Sequence, residues 1–574
     1  MACGFESKAI GANSAEWSLK TSTIGALPLL EALFKRLRLD DFFAAYVAPG
    51  KSRPTVPWSA GLLVLLRNVL LSREPVYGVG EWAAQHAPEW LGLTPEQVQA
   101  LNDDRIGRCL DRLFDADQRS LLLSIVTQAI REFGVALDEL HVDSTTIRFF
   151  GAYESARQGA RTRGKQTPTI TYGHSKDHRP DLKQILFELT ISSDGGVPVY
   201  FEASDGNLTD DQTHQRTWDL LCELSGRADF LYVADCKLAT TENMKYIDKR
   251  GGRFISVLPR TRKEDSQFRA LLLEATVSWR DIHERRDEDG NLLDTFRIAE
   301  HPATTKEGLR LLWFHSTRKQ ELDAAARAAA IERTLHDLAR LRSKIRSPRT
   351  RWRDATRIRE AVQRIFARRD SARWILTRVD SIEQPNFHQE KRGRPGKNTR
   401  YVRSTSTRFD LFYELETIHI AEDASSDGVF PLVTNDRRLL DLEVLLAYKR
   451  QPFIERRFQN LKTDFRVAPV FLKGVARVQA LLCIYFVALL VEALLEREVR
   501  RRMAATNVRA LPLYPERRLA KAPSTRRLLD AFENVQRHEL ASRGRPITTL
   551  RTELNARQRK VLRLLQMDPR HYGI

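Results

Sequence analysis

The sequence predicts an α/β protein: a sheet-bearing core, interrupted by a large mixed α/β insertion, with a helical region before it and another after it. Two observations carry that expectation. The hydrophobic period switches from helical spacing before about residue 130 to strand-like runs from about Leu137. Beyond the switch the chain reads as three successive strands, then helix, strand, helix, strand. At 574 residues and 42% hydrophobic content, the chain has more apolar material than one compact core needs, which favours several domains or one core with large additions.

The first elements are helical. LPLLEALFKRLRLDDFF sets Leu30, Leu33, Phe34, Leu37 and Leu39 at helical spacing; SAGLLVLLRNVLLS is a second, more buried helix and DRIGRCLDRLFD a third. Pro- and Gly-bearing pieces such as GKSRPTVP separate them. Residues 1–135 thus read as a helical domain, suited to DNA binding or to dimerisation. LDELHVDSTTIRFFG is β-rich, and ILFELTISSDGGVPVYFEASDG reads as a hairpin turning at Ser193-Asp194-Gly195-Gly196. The helical THQRTWDLLCELSG, the strand FLYVAD, a helix from about Thr241 and the strand GGRFISVLP complete residues 136–261. That order is the order of a ribonuclease-H-like fold.

Residues 262–434 interrupt it. They hold a strand pair around RDEDGNLLDTFRIAEH, a charged helix from Lys319 to about Ser343, and a basic helix from about Arg353 to Arg369. Next come a polar linker, QPNFHQEKRGRPGKNTR, and strand-like text through YELETIHI and VFPLVTN. Arg-rich helices of this kind are often solvated faces. The core resumes over residues 435–503, with the apolar helix RVQALLCIYFVALLVEALL, and residues 504–574 read as a basic helical region.

Lys and Arg number 93 against 74 acidic residues, a formal charge of +19, and the pI is near 9.8. Such an excess points to a polyanionic partner, usually nucleic acid, although a genome-wide arginine bias gives the same number. Cys3, Cys109, Cys222, Cys236 and Cys483 form no C-x-x-C pair, so neither a disulfide framework nor a zinc site is expected, and a reducing cytoplasm fits. MACGFESKAI lacks the regions of a signal peptide. The longest apolar run, Ala480 to Val491, is too short to span a bilayer, so a buried core helix in a soluble protein is expected.

Three acids carry the chemistry. Asp143, in LHVDSTTI, sits on an otherwise apolar strand and must be paired, hydrogen-bonded or bound to metal, or else close a turn with Ser144 and Thr145. Asp235 ends FLYVAD, where open α/β sheets carry functional groups, and where an Asp also serves as a helix N-cap. Glu455 flanks a helical stripe of Ile454, Phe458, Leu461 and Phe465, with Lys462 two turns further along the same flank. Pro452 fits the first turn of that helix. Carboxylates holding two divalent ions can drive an in-line displacement at phosphorus, with magnesium favoured and manganese a substitute.

These residues resemble the DDE transposases of bacterial insertion sequences, in the insertion-sequence-four group. The run GHSKDHRPDLKQ stands unbroken at Gly173–Gln184, and GNLTDDQTH, VADCKLATTENM and DGVFPLVTND are similar to the same subgroup. Its signature, Y-x-x-R-x-x-x-E-x-x-x-x-x-x-K, is met by Tyr448, Glu455 and Lys462, but Gln451 fills the arginine position, with Arg450 one residue earlier. The resemblance implies Asp143, Asp235 and Glu455 as catalytic ligands of two Mg2+ ions, with Lys462, Tyr448 and Arg450 on DNA phosphates. It implies nicking at terminal inverted repeats, strand transfer into target DNA, an insertion that helps hold the element's end, and a homodimer with paired ends. It also implies a bacterial cytoplasmic protein associated with the nucleoid. Separately, Lys391-Arg392-Gly393-Arg394-Pro395 resembles an R-G-R-P core that enters narrow minor grooves, making Arg392 and Arg394 DNA-binding candidates. Two other functions stay open: an inactive, transposase-derived DNA-binding regulator, and a nuclease without strand transfer.

Overall fold

A computed structural model describes residues 17–572, apart from 48–53, 155, 175, 177–178, 209–212, 275–276, 288, 301–302, 466–471, 473, 515, 517 and 544. The chain forms two compact units, one from residues 1–256 and 446–574, the other from 257–445.

The first unit opens with β1 (Trp17–Thr23). The segment expected as one helix is two, α1 (Leu27–Arg36) and α2 (Leu39–Tyr46), because Arg38 adopts a left-handed φ of 55° between them. Then come α3 (Trp58–Leu71), α4 (Asp103–Asp115) and α5 (Gln118–Phe133). α4 is capped by Asn102, whose side chain accepts the Arg105 N–H, and α5 by Asp117 in the same way at Ser120.

The sheet of this unit has the order β4-β3-β2-β5-β6: β2 (Glu139–Phe149), β3 (Lys183–Ser192), β4 (Pro198–Ser204), β5 (Leu231–Ala234) and β6 (Arg253–Val257). The first three pair antiparallel; β2–β5 and β5–β6 are parallel. α6 (His214–Ser225) precedes β5 and α7 (Thr241–Lys249) comes after it, as crossovers between parallel strands require. The β3–β4 turn carries Gly195 at φ 82°, and a Cβ there would lie 2.9 Å from the Arg497 side chain, so the position demands glycine. β2 is buried on both faces, with Leu140 and His141 alike at 0% exposure.

The second unit holds the strands β7 (Trp279–Arg286), β8 (Leu292–Ala299) and β9 (Arg310–Ser316), then the 30-residue α8 (Thr317–Arg346) and α9 (Ala355–Ala367). Of the text read as a polar linker, only residues 384–389 are strand; residues 390–400 form the expected connection. β10 (Ile375–Gln389) and β11 (Tyr401–Leu415) pair in unbroken register from Ile375 with Leu415 to Gln389 with Tyr401. The base of this ribbon packs Ile375 and Leu411 with Leu338, Leu341, Ile358 and Val362 of α8 and α9. Beyond the base neither face is covered, so no alternating apolar pattern marks the strands and the backbone ladder alone defines them. The text TIHI, read as the end of a strand, starts a helix at Thr417–Ala424. β12 (Val429–Thr434) pairs with β9.

The helix Asp441–Tyr448 leads back to the first unit, which resumes with α10 (Pro452–Gln459) and the 31-residue α11 (Val475–Ala505). α11 alone among the described helices is long and apolar enough to cross a membrane, but 94% of its apolar window is buried in the protein's own core. Phe486 stacks on Phe201 of β4 at 5.0 Å, and Arg477 pairs with Asp111 of α4 at 2.8 Å. The C-terminal segment, expected as helix, contains β13 (Gln536–Ser542) and β14 (Arg545–Arg551), and β1 pairs with β13. β14 is exposed throughout, which is why its sequence carries no core-facing period.

Candidate functional site

Asp143 and Asp235 come together through strand register. β2 and β5 run parallel with Val142 opposite Ala234, and each acid is the next residue along. Adjacent strands lie about 4.8 Å apart, so the two acids leave neighbouring strands side by side where β5 ends. Both are half-buried. Asp143 accepts the N–H of Ser144 at 2.7 Å, and Asp235 accepts that of Lys237 at 3.0 Å, while the Asp235 carbonyl accepts Ser256 Oγ at 2.6 Å. These bonds fix where the strand ends turn.

Glu455 is exposed in the first turn of α10, with Pro452 opening that helix. Ile454, Phe458, Leu461 and Phe465 are all buried, as the apolar stripe requires. The backbone widens into a π-helix over Asn460–Asp464, and Phe465 N–H donates to Asn460 O at 2.9 Å. Lys462 rides on that π turn, so it is rotated from the position a straight α-helix would give it. Such turns recur at functional sites. Asn460 is held by Glu492, which accepts its Nδ2 at 3.0 Å. Glu455, Arg456, Asn460, Glu492 and Glu496 line a polar cleft of about 400 Å³.

Tyr448 senses the charges of all three acids. Burial pushes its hydroxyl up to about 12, helped by the negative charges of Asp235, Cys236, Glu455 and Asp143. All three acids therefore lie within electrostatic range of one phenol, which stays protonated near neutral pH and can donate a hydrogen bond. Lys176, from the GHSKDHRPD loop, donates to Ser144 O and Oγ at 2.7 Å each and stands 3.8 Å from Asp143 Oδ1. His174 lies in the same loop, its carbonyl accepting Gln184 Nε2 at 3.2 Å. The loop is pressed close to the sheet: a Cβ on Gly173 would fall 2.0 Å from the Gly206 carbonyl oxygen. Asp177 and His178 lie outside the described residues. Sequence reasoning singled out this motif without a role for Lys176; its unbroken polar text was the available signal.

Gln451, in the arginine position of the signature, is buried. It meets His141 Nδ1 through Oε1 at 3.1 Å, and His141 Nε2 meets Glu139 at 2.8 Å. Arg450 completes the chain, donating to both Glu139 oxygens at 2.8 and 2.5 Å. Burial raises the Glu139 carboxyl, but the bonds from His141 and Arg450 outweigh it and hold it below its ordinary value. Arg450 is thus engaged with Glu139 on β2, and the pair braces the strand of Asp143 against the start of the Glu455 helix. No sequence spacing signalled this bridge, whose partners are some 310 positions apart.

Among the described residues no three His, Cys, Asp or Glu side chains are close enough together to hold one metal ion. The donor chemistry of Asp143, Asp235 and Glu455 nonetheless suits a hard divalent cation, since magnesium keeps several waters and takes only one or two carboxylates directly. Cys109, Cys222, Cys236 and Cys483 are free thiols.

In the second unit, Arg392 and Arg394 are exposed at the tip that joins β10 to β11, beside an open cleft of about 410 Å³ that they line with Lys391 and Arg400.

Residues 19–127 match the family described as domain of unknown function DUF4277. Among curated proteins, none matches the chain. Among solved structures, the piggyBac transposase synaptic complex with hairpin DNA is similar at 10% identity and a TM-score of 0.27, over 49% of this chain. The match spans 63% of that transposase chain. The architecture is mixed α/β, with Asp143 on β2 and Asp235 directly after β5, adjacent strands in the interior of its sheet.

Proposed function

We propose that the chain is a DDE-type DNA transposase that cleaves at the ends of an insertion sequence and joins them to target DNA. The observation that carries the reading is the placing of Asp143 and Asp235 side by side at the ends of adjacent parallel strands; the charge of Glu455, like theirs, is felt at Tyr448. The five-strand order, three antiparallel strands and then two parallel ones joined by helices, supports a ribonuclease-H-like core. The net charge of +19 supports a DNA partner.

Asp143, Asp235 and Glu455 would hold two Mg2+ ions, with Mn2+ as a substitute. When bound, such ions supply a stronger nucleophile and stabilise the leaving oxygen. The chain's own residues do the rest. Tyr448 stays protonated and donates to a phosphate oxygen without repelling it, and Lys462 adds a positive charge on the next helical turns. Lys176 holds the strand edge at Ser144 beside Asp143. Arg392 and Arg394 extend the DNA contact from the ribbon tip, as arginines suited to a narrow minor groove. Terminal inverted repeats, target DNA and a homodimer with two paired ends belong to the same reading.

The test is a nicking and joining assay on a duplex carrying the terminal repeats that flank the gene, with Mg2+. Asp143→Ala, Asp235→Ala and Glu455→Ala should each lower nicking by at least roughly a hundredfold with duplex binding retained. Nicking that survives all three would reject the site; nicking without joining would leave a nuclease, and binding alone a regulator.

A further inference from the structure

The second unit, which the transposase reading gives a part in holding the element's end, has a basic cleft to which that reading assigns no residue. α8 presents Arg340 and Lys344 one helical turn apart, and Arg364 of α9 has the same spacing to Arg368, the residue that caps that helix. All four are exposed, and they surround a cleft of about 280 Å³ with Leu341 and Ile365 against it. Like charges at this spacing repel and cost helix stability. Helix-end dipoles offset part of that for Lys344 and Arg368. Acid partners do not: the one carboxylate on the cleft, Asp337, is taken by Arg369 at 2.8 Å. Among the described residues, none of the four cations has an ion-pair partner.

Neighbouring arginines show that the unit can pair charges when pairing serves its fold. Arg346 and Arg342 converge on the buried Asp410, with Arg346 Nη2 at 2.5 Å. The stretch from Asp337 to Asp370 has twelve Lys and Arg against four Asp and Glu. The four cleft cations are therefore a concentration of charge that the protein's own acids leave uncompensated, on two helices locked by a shared apolar core.

We propose that this cleft binds the phosphodiester backbone of duplex DNA, independently of sequence and at a place distinct from the ribbon tip. The inference rests on the reading of the chain as a DNA-acting protein, but not on its catalytic site. Arginine and lysine contribute such binding by releasing counterions, so each phosphate contact adds to the salt dependence. A stretch of DNA lying over the cleft would relieve the repulsion between the two cation pairs.

The experiment titrates the full chain against a labelled 30-base-pair duplex of arbitrary sequence over a series of NaCl concentrations, by anisotropy. Replacing all four (Arg340→Ala, Lys344→Ala, Arg364→Ala and Arg368→Ala) should make the slope of log affinity against log salt shallower by about 3.5, from roughly 0.9 per contact. Each pair replaced alone should give about half of that. The charge-keeping set Arg340→Lys, Arg364→Lys and Arg368→Lys should retain the wild-type slope. Because the lost groups repel one another, the melting temperature should not fall; should it fall, the two pair variants and the lysine set carry the decision. An unchanged slope in the folded alanine variants overturns the proposal. Nicking of terminal-repeat DNA by the same proteins separates the two readings. A normal slope change without nicking by the wild type defeats the transposase reading alone, whereas nicking with an unaltered slope defeats the cleft alone.

Discussion

The two units use arginine in opposite ways. In the first, long basic side chains are fastened inside the structure. Arg497 is 7% exposed and holds Asp194 at 2.9 and 2.6 Å, together with the carbonyls of Phe133 and Gly134. Arg457 does the same for the carbonyls of Gly195 and Gly196. Both close the β3–β4 turn against the helices that carry Glu455 and the core. In the second unit the basic residues of the ribbon tip and of the α8–α9 cleft project from the surface. The difference teaches that net charge is a poor guide to function until paired and unpaired cations are separated: the first kind sets geometry, the second meets a partner.

The sharpest way to break that comparison is to cut a fastened arginine. Arg497→Ala takes the charged partner from Asp194, leaving it the Ala136 N–H, and removes the bonds to the Phe133 and Gly134 carbonyls. It should destabilise the first unit by about 3 kcal/mol, the scale of a lost charged hydrogen bond. Urea unfolding monitored by tryptophan fluorescence would measure it. A loss under about 1 kcal/mol would mean that Arg497 is no more structural than the ribbon cations.

The second unit also fastens some arginines, Arg327 to Asp427 at 2.6 Å and Arg262 to Glu307 at 2.7 Å, and Asp410 at the ribbon base sharpens the rule. Its carboxyl is held well below the ordinary range by Arg346 first, and by Arg342 and the Leu411 N–H against the opposing effect of burial. A depressed native value means stability that is fully present above the unfolded value of about 4 and lost as pH falls below it. Asp410→Asn should cost roughly 2 kcal/mol at pH 7, the scale of a charged hydrogen bond, and should flatten the acid limb of a melting-temperature profile taken from pH 7 to pH 3. An acid limb identical to wild type would remove Asp410 from the account.

A smaller effect is expected at Gln451. Gln451→Ala removes the bond to the buried His141 and should cost about 1–2 kcal/mol. Because that bond braces β2 against the start of α10, nicking should fall in turnover more than in apparent DNA affinity. An equal loss in both, or in neither, would count against a bracing role.

These residues also mark how far the sequence could be read. Asp143, Asp235 and the Glu455 stripe are local signals: a strand end or a helical period announces each within about a dozen residues. The strand order of the first unit comes from the same local periods. What escaped were features made by distant partners or by exposure. The His141–Gln451 bond joins positions that share no local pattern. The ribbon is only partly legible, its end at residues 384–389 reading with the linker, because a strand covered on neither face has no reason to alternate. The C-terminal strand pair escaped for the same reason, since β14 is exposed along its length. The π turn under Lys462 is a backbone choice that side-chain period does not encode, because the buried stripe from Ile454 to Phe465 is satisfied with it.

The smallest stability effect is expected where the comparison is cleanest, at the ribbon tip. Arg392 and Arg394 are exposed, so Arg392→Ala with Arg394→Ala should change unfolding by no more than about 0.5 kcal/mol, the usual range for surface positions. Their effect should appear only with DNA. If the two cations meet phosphates, the salt slope of duplex binding should become shallower by roughly 1.8 for the pair. If instead they enter a narrow minor groove, affinity should fall mainly for AT-rich duplexes and little for GC-rich ones, since groove width sets the potential they sense. Anisotropy on an AT-rich and a GC-rich duplex of equal length, each over a salt series, distinguishes these outcomes. A pair variant that binds both duplexes as wild type does would assign the tip to solvent, and would leave the α8–α9 cleft as the second unit's contribution to DNA binding.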